Sequence, residues 1–332
     1  MSKHATLACL TQKVGAAALI LTLCGHSLWA QETSQDQPRQ KPAKNRAGKK
    51  VAAPFKWVNP IPQRLKASLP ATLSHATFAS RIAGSDVGYC IYLPPEYDQP
   101  EFTNKRFPVV YYLHGGRPGN ETKSIRLAAQ MEKLSSEHSL PPMIYVFVNG
   151  GPVSHYNLPG KPESQGADVF IKELIPHVDA TYRTIAKRSG RGLEGFSQGG
   201  RGTARLMFRY PELFSSASPG GGGHATEKKI SESGGFENPK LKFGDGDNTW
   251  DLARRYAEQA SRGAAPKLSI LVHVGDKGFN YQNNLEWMKH LKSLGIPYQR
   301  VIVPDVGHSA ADIYRKEGLR IMRFHADNLS RS

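Results

Sequence analysis

From about residue 78 onward the chain alternates short apolar runs with longer stretches that place apolar residues every three or four positions. The short runs have the length and β-branched content of strands, and the longer ones have the helical period. Phe78–Ile82 and Val87–Leu93 read as two strands joined across Gly84-Ser85-Asp86, a hairpin that Pro94-Pro95 ends. Val109–Leu113 and Met143–Val148 are apolar throughout, as strands buried on both faces are. Between them, Ser124–His138 carries Ile125, Leu127, Ala128, Met131 and Leu134 on one helical face. Asp168–Tyr182 repeats the pattern with Phe170, Ile171, Leu174, Ile175 and Val178. A strand then runs into Ser197, and Gly200–Tyr210 is the helix behind it. The remaining order is strand Ser215–Ser218, strand Leu268–Val274, helix Asn284–Leu294, strand Tyr298–Val303 and helix Asp312–Leu329. This alternation predicts an α/β fold with a mostly parallel sheet covered on both faces, its working loops at the carboxyl ends of the strands. Residues 221–265 break the rhythm and read as an insertion, either a partial lid over the site or surface decoration. Asn248 caps a helix within it over Trp250–Gln259.

The first thirty residues follow a different pattern. Lys3, His4 and Lys13 precede the apolar run Val14–Cys24, and Ala30 offers a small residue for cleavage. That is the layout of a secretory signal, and the run is too short to span a bilayer. The mature chain is expected to be exported to a bacterial periplasm or beyond. Leu21-Thr22-Leu23-Cys24 resembles a lipid-attachment site, but Leu23 stands where a small residue belongs. Residues 31–56 are polar, basic and proline-containing, the composition of a disordered linker, so the folded domain is expected over 57–332. Of three cysteines, Cys9 and Cys24 leave with the signal, and Cys90 remains alone in an apolar strand as core. The net charge is +16, of which about +10 stays beyond residue 50. That balance suits an anionic envelope polymer. Export and the lack of any nucleic-acid-binding motif argue against nucleic acid.

Candidate chemistry centres on Gly195-Phe196-Ser197-Gln198-Gly199, a Gly-x-Ser-x-Gly pentapeptide between a strand and a helix. Such a turn holds a serine hydroxyl above a sheet edge, and small residues two before and two after keep it free of clashes. A serine nucleophile needs a base and a carboxylate that orients the base. Asp276 directly follows strand Leu268–Val274, and His308 follows strand Tyr298–Val303, so the expected triad is Ser197, Asp276, His308. The tetrahedral intermediate needs N–H donors, expected from Gln198 and from Gly116 in the loop after Val109–Leu113. Competing residues have weaker placements. His273 lies inside a strand, His114 reads as a loop fastener, Asp305 shares the loop of His308, and His224 could touch substrate. Asp245–Asp251 lacks the glycine and glutamate of a calcium loop, and no His/Cys cluster has zinc spacing. Tyr156, Phe236, Trp250, Phe279 and Tyr281 are aromatic candidates for an acyl pocket, each also fit for ordinary packing.

These stretches resemble the putative-esterase family of α/β-hydrolases, which includes feruloyl, acetylxylan and enterochelin esterases, S-formylglutathione hydrolases and mycolyltransferases. The resemblance rests on Tyr111-Tyr112-Leu113-His114-Gly115-Gly116, Glu173-Leu174-Ile175-Pro176, Tyr182-Arg183, Gly195–Gly200 and Val306-Gly307-His308. It implies a sheet of about eight mostly parallel strands, no cofactor, and the same three residues as nucleophile, acid and base. Glu194 departs from the small residue usual before the elbow glycine. The expected activity is a serine carboxylic-ester hydrolase acting through an acyl-enzyme on acylated carbohydrate or phenolic esters. An acyltransferase using the same triad and a catalytically silent polymer-binding protein are the alternatives.

Overall fold

A computed structural model describes residues 54–330. The expected signal and all but the end of the expected linker lie outside the described residues. Backbone contacts already begin within that linker's last residues, where the Lys56 carbonyl accepts hydrogen bonds from the Asn59 and Asn149 side chains.

Eight strands form one sheet in the order β1-β2-β4-β3-β5-β6-β9-β10. They are β1 Leu73–Ser80, β2 Ser85–Tyr92, β3 Val109–Leu113, β4 Ile144–Val148, β5 Arg191–Phe196, β6 Ser216–Gly220, β9 Ser269–Gly275 and β10 Gln299–Val303. The β1–β2 and β2–β4 pairs are antiparallel and the rest are parallel. The mostly parallel α/β sheet expected from the alternation is therefore present. In β3, Val109, Tyr111 and Leu113 enter one core layer while Val110 and Tyr112 enter the other, as a strand covered on both faces requires. The helix Leu127–Glu137 packs against the closing helix Ala310–Asn328 on one side, and Gln198–Arg209 packs against Thr249–Ser261 on the other.

Several boundaries differ from the sequence reading for physical reasons. β1 starts at Leu73, ahead of the apolar run, because this edge strand exposes much of its length and carries polar Ser74, His75 and Thr77. The helix expected over 168–182 runs through Gly166–Asp168, a π-helical stretch Val169–Leu174 and Ile175–Thr181. Pro176 lacks the N–H that would continue the four-residue ladder, and the wider turns lie just ahead of it. Glu194, the departure within β5, is fully buried. Tyr314 Oη donates to its Oε1 at 2.6 Å, and His325 Nε2 lies 3.5 Å from its Oε2. Cys90 is buried, and burial pushes its thiol pKa well up, so it is core. No helix among the described residues is long and apolar enough to cross a membrane.

The insertion holds helix His224–Glu232, a hairpin of β7 Phe236–Asn238 and β8 Leu241–Lys242, and helix Thr249–Ser261. Asn248 caps the last of these, accepting from Trp250 N–H at 3.0 Å and Asp251 N–H at 2.9 Å.

Candidate active site

The strand order reverses around β3, whose neighbours in the sheet, the two following strands β4 and β5, flank it on opposite sides. Crevices open at such points beyond the carboxyl ends of the strands. The loop after β3 and the turn after β5 meet there. Ser197 sits between β5 and the helix Gln198–Arg209 with φ 61° and ψ −114°, a conformation that costs a non-glycine residue. It is held by Ser197 N–H donating to Gly220 O at 2.8 Å and by Arg201 N–H donating to Ser197 O at 3.1 Å. The flanking glycines are sterically required. A Cβ on Gly199 would lie 1.8 Å from Leu113 O, and one on Gly195 would lie 2.7 Å from both Leu113 O and Gly199 O. The pentapeptide is thus a strand-to-helix elbow, as its spacing predicts.

His308 brings Nε2 to 2.8 Å from Ser197 Oγ across 111 residues of chain. Its ring packs on Phe196 at 4.7 Å and on Phe279 at 4.3 Å between centroids. Burial lowers its pKa from the ordinary imidazole value.

Asp276 departs from the expectation. Its Oδ1 accepts from Asp305 N–H at 2.8 Å, and no hydrogen bond joins it to His308. The atom that faces His308 Nδ1 is instead Asn280 Oδ1, at 3.3 Å. Asp276 follows β9 directly, where its own N–H donates to Val303 O, so its side chain is drawn toward the start of the neighbouring loop rather than its far end. Asp305 adopts φ 55°, and the Asp276 carboxylate fastens that turn. Asp276 therefore positions the loop that carries His308 and does not reach the ring. Asn280 was missed because a neutral amide in a loop carries no sequence signal of acid–base chemistry.

The two expected oxyanion donors belong to the helix that begins directly after the serine and to the loop that meets it. Gln198 is the first residue of its helix, so its N–H has no acceptor within the helix. Gly116 has φ +68°, and its loop comes so close that a Cβ on Gly115 would lie 3.3 Å from Ser197 Cβ. His114 fastens this loop. Its Nδ1–H donates to Gly115 O at 2.9 Å, while Nε2 accepts from Asn120 N–H and Gly150 N–H at 3.3 Å each. Burial pushes its pKa down to about 3, so it stays neutral.

His224 does not reach the surface. It is fully buried and stacks on Trp287 at 4.0 Å, with its pKa pushed down to about 3 mainly by burial. His273 is likewise buried, packed beside Phe196 with its ring over Gly220. Of the aromatic candidates, Tyr156 and Trp250 are core, and Phe236 is partly exposed on the insertion hairpin. Phe279 is 82% exposed directly beside His308.

One further cluster escaped the sequence reading. Arg201, one turn after Ser197, donates to Glu227 Oε1 at 2.7 Å, to Glu237 Oε2 at 3.0 Å and to Gln198 Oε1 at 3.2 Å. Glu237 also receives both terminal nitrogens of Arg117, at 2.8 and 2.9 Å. The insertion hairpin is thereby tied to the loop that carries Gly116 and to the helix that begins at Gln198. The spacing of Arg201 from Ser197 is the one hint of this in the sequence.

Known proteins resemble this chain in sequence and in fold. The model of the family described as "Putative esterase" matches residues 80–294. An esterase of Mycobacterium tuberculosis is 28% identical over 144 residues, covering 42% of this chain and 30% of that protein. An endo-1,4-beta-xylanase/feruloyl esterase of Xylanibacter ruminicola is 26% identical over 213 residues, covering 61% of this chain and 28% of that protein. This chain thus spans less than a third of the length of either relative. Among solved structures, a ferulic acid esterase superposes with a TM-score of 0.62 at 20% identity, over 78% of this chain and 98% of its own. An S-formylglutathione hydrolase from Staphylococcus aureus gives 0.57 at 19% identity, over 76% and 98%. With the elbow serine directly after the fifth strand and most of the domain matched by one family model, the chain belongs to the putative-esterase family of α/β-hydrolases.

Proposed function

We propose that the protein is a serine carboxylic-ester hydrolase that works through an acyl-enzyme. The observation that carries this reading is the 2.8 Å approach of His308 Nε2 to Ser197 Oγ, with the serine held at an elbow of left-handed φ. In this reading His308 takes the proton as Ser197 Oγ attacks the ester carbonyl, then returns it to the departing alcohol. Gln198 N–H and Gly116 N–H receive the oxyanion, at about 10²–10³-fold in rate per donor. Water attacks the acyl-serine by the reverse route and frees the acid.

The substrates we propose are acylated carbohydrates or phenolic esters. Support comes from the name of the Xylanibacter relative and from the exposed Phe279 ring beside His308, a surface for an aromatic or sugar-ring face. The reading includes export. The basic start, apolar run and Ala30 support cleavage there, and the first residue of the exported chain should be Gln31. The excess of basic residues would then favour anionic polymers of the envelope or wall.

The test is turnover of p-nitrophenyl acetate, methyl ferulate and acetylated xylan by the purified protein and by Ser197→Ala. The substitution should lower kcat by on the order of 10⁶. Ester turnover that survives Ser197→Ala would remove the mechanism.

A further inference from the structure

Asn280 is an unusual group to find against a histidine that faces a serine. It is buried, lies at the far end of the loop that Asp276 begins, and points its Oδ1 at His308 Nδ1. An asparagine in this place can act in two opposite ways. If its carbonyl accepts from Nδ1–H, Nε2 keeps its lone pair for the serine proton. If its amide N–H₂ donates to Nδ1, the proton sits on Nε2 and the base is blocked, a loss of about 10⁴ in rate where an asparagine replaces a triad aspartate.

The surroundings decide between them. Asn280 Nδ2 donates to the carbonyls of Gly221 and Gly222, the latter at 3.3 Å, and these atoms cannot serve an amide oxygen. Asn284 holds the same wall, its Nδ2 donating to Gly222 O at 2.9 Å and to Asn280 O at 2.8 Å. A flipped amide would set Oδ1 against two carbonyl oxygens. The amide is therefore keyed in the orientation that selects the productive tautomer.

We infer that Asn280, not Asp276, is the positioning residue that orients His308, so that the working constellation is Ser197–His308–Asn280. This deepens the esterase reading and rests on it. The partner is neutral, so it orients the ring and holds Nδ1–H without adding an anion. The groups around the ring fit. Phe196 and Phe279 flank it and Ser197 faces Nε2. The carboxylates of the two adjoining loops are turned elsewhere, Asp276 to Asp305 N–H and Asp305 toward Lys277 at 3.9 Å. Burial lowers the pKa of His308, the opposite of what a carboxylate on Nδ1 would do.

Asn280→Ala, Asn280→Asp and Asp276→Ala, assayed with p-nitrophenyl acetate, separate the roles. Asn280→Ala should lower kcat about 10- to 100-fold with little change in KM, the size of one hydrogen bond to a charged group. Asn280→Asp keeps an acceptor for Nδ1–H but loses both donors to Gly221 and Gly222. Its second oxygen then faces those two carbonyls, so it should recover only part of that kcat, while a carboxylate on Nδ1 favours imidazolium and should move the acid limb of kcat/KM to higher pH. Asp276→Ala should cost less kcat than Asn280→Ala. Equal losses for Asn280→Ala and Asn280→Asp with an unmoved acid limb would make Asn280 a loop fastener, and a larger kcat loss for Asp276→Ala would restore Asp276; either result overturns the inference. A readout without turnover covers failure of the esterase reading itself. In ¹⁵N-histidine NMR, wild type should show the proton of neutral His308 on Nδ1, and Asn280→Ala should show mixed tautomers. Wild-type protonation on Nε2 would overturn the assignment whether or not the protein hydrolyses esters.

Discussion

His308 has to be neutral to accept a proton from Ser197, so its pKa sets the acid limb of activity. Burial against Phe196 and Phe279 disfavours the charged ring and lowers that pKa below the ordinary value of about 6.5. Activity on p-nitrophenyl acetate should therefore hold below that value as pH falls and be lost only as the ring protonates. A kcat/KM limb at or above neutral pH would require an anion on Nδ1 that the structure does not place there. Residue chemistry was legible where type and spacing carry it. Ser197 stood out because Gly195 and Gly199 leave room for the crossing of Leu113 O, and His308 because it follows a late strand. The side chain that faces His308 Nδ1 was not legible. Asp276 and Asn280 share a loop, and only the path of that loop decides which side chain meets the ring.

Helix and strand boundaries followed local chemistry more closely than distant packing. Asn248 ahead of Trp250–Gln259 announced a helix, and its Oδ1 accepts the first free N–H groups of Thr249–Ser261. Replacing Asn248 with Ala should cost about 1 kcal/mol of stability. The shift of the urea midpoint at unchanged slope would measure it. The same element carries Trp250 and Tyr256 into the core beside Gln198–Arg209, so its loss would loosen the support behind the elbow. Elements whose signal lay elsewhere were misjudged at their ends. The outer strand β1 alternates too weakly to mark its start, and the π-helical turns before Pro176 leave no trace in apolar spacing.

At the scale of the whole molecule, the insertion is fastened to the site by charge. Glu227 joins Arg201 Nε to the start of Thr249–Ser261 through Thr249 N–H at 2.8 Å, and Glu237 bridges Arg117 and Arg201. Burial alone would raise the pKa of Glu237, but hydrogen bonds from Arg117 and the charge of Arg201 outweigh it and hold the pKa below the ordinary carboxylate value. The sign follows from a depressed folded-state pKa. This attachment contributes fully above the unfolded carboxylate pKa and is lost as pH falls through the folded one. Glu237→Ala should speed amide hydrogen exchange in the hairpin Phe236–Lys242 by about tenfold or more, as loss of a charge-assisted pair implies. Unchanged exchange would show that apolar packing around Phe243 and Tyr156 holds the hairpin without the ion pair.

The alternation of apolar runs with helical spacing was enough to specify the parallel sheet, because burial on both faces leaves its mark residue by residue. The elbow was legible for the same local reason, since close backbone crossings admit glycine alone. Which strands neighbour one another, and hence which loops meet over Ser197, depended on contacts between residues tens to more than a hundred positions apart. Folding brought Asn280 to His308, turned Asp276 away to Asp305, and locked the insertion to Arg117 and Arg201. Hydrogen bonds form where donors and acceptors converge in space, and linear spacing does not record that convergence.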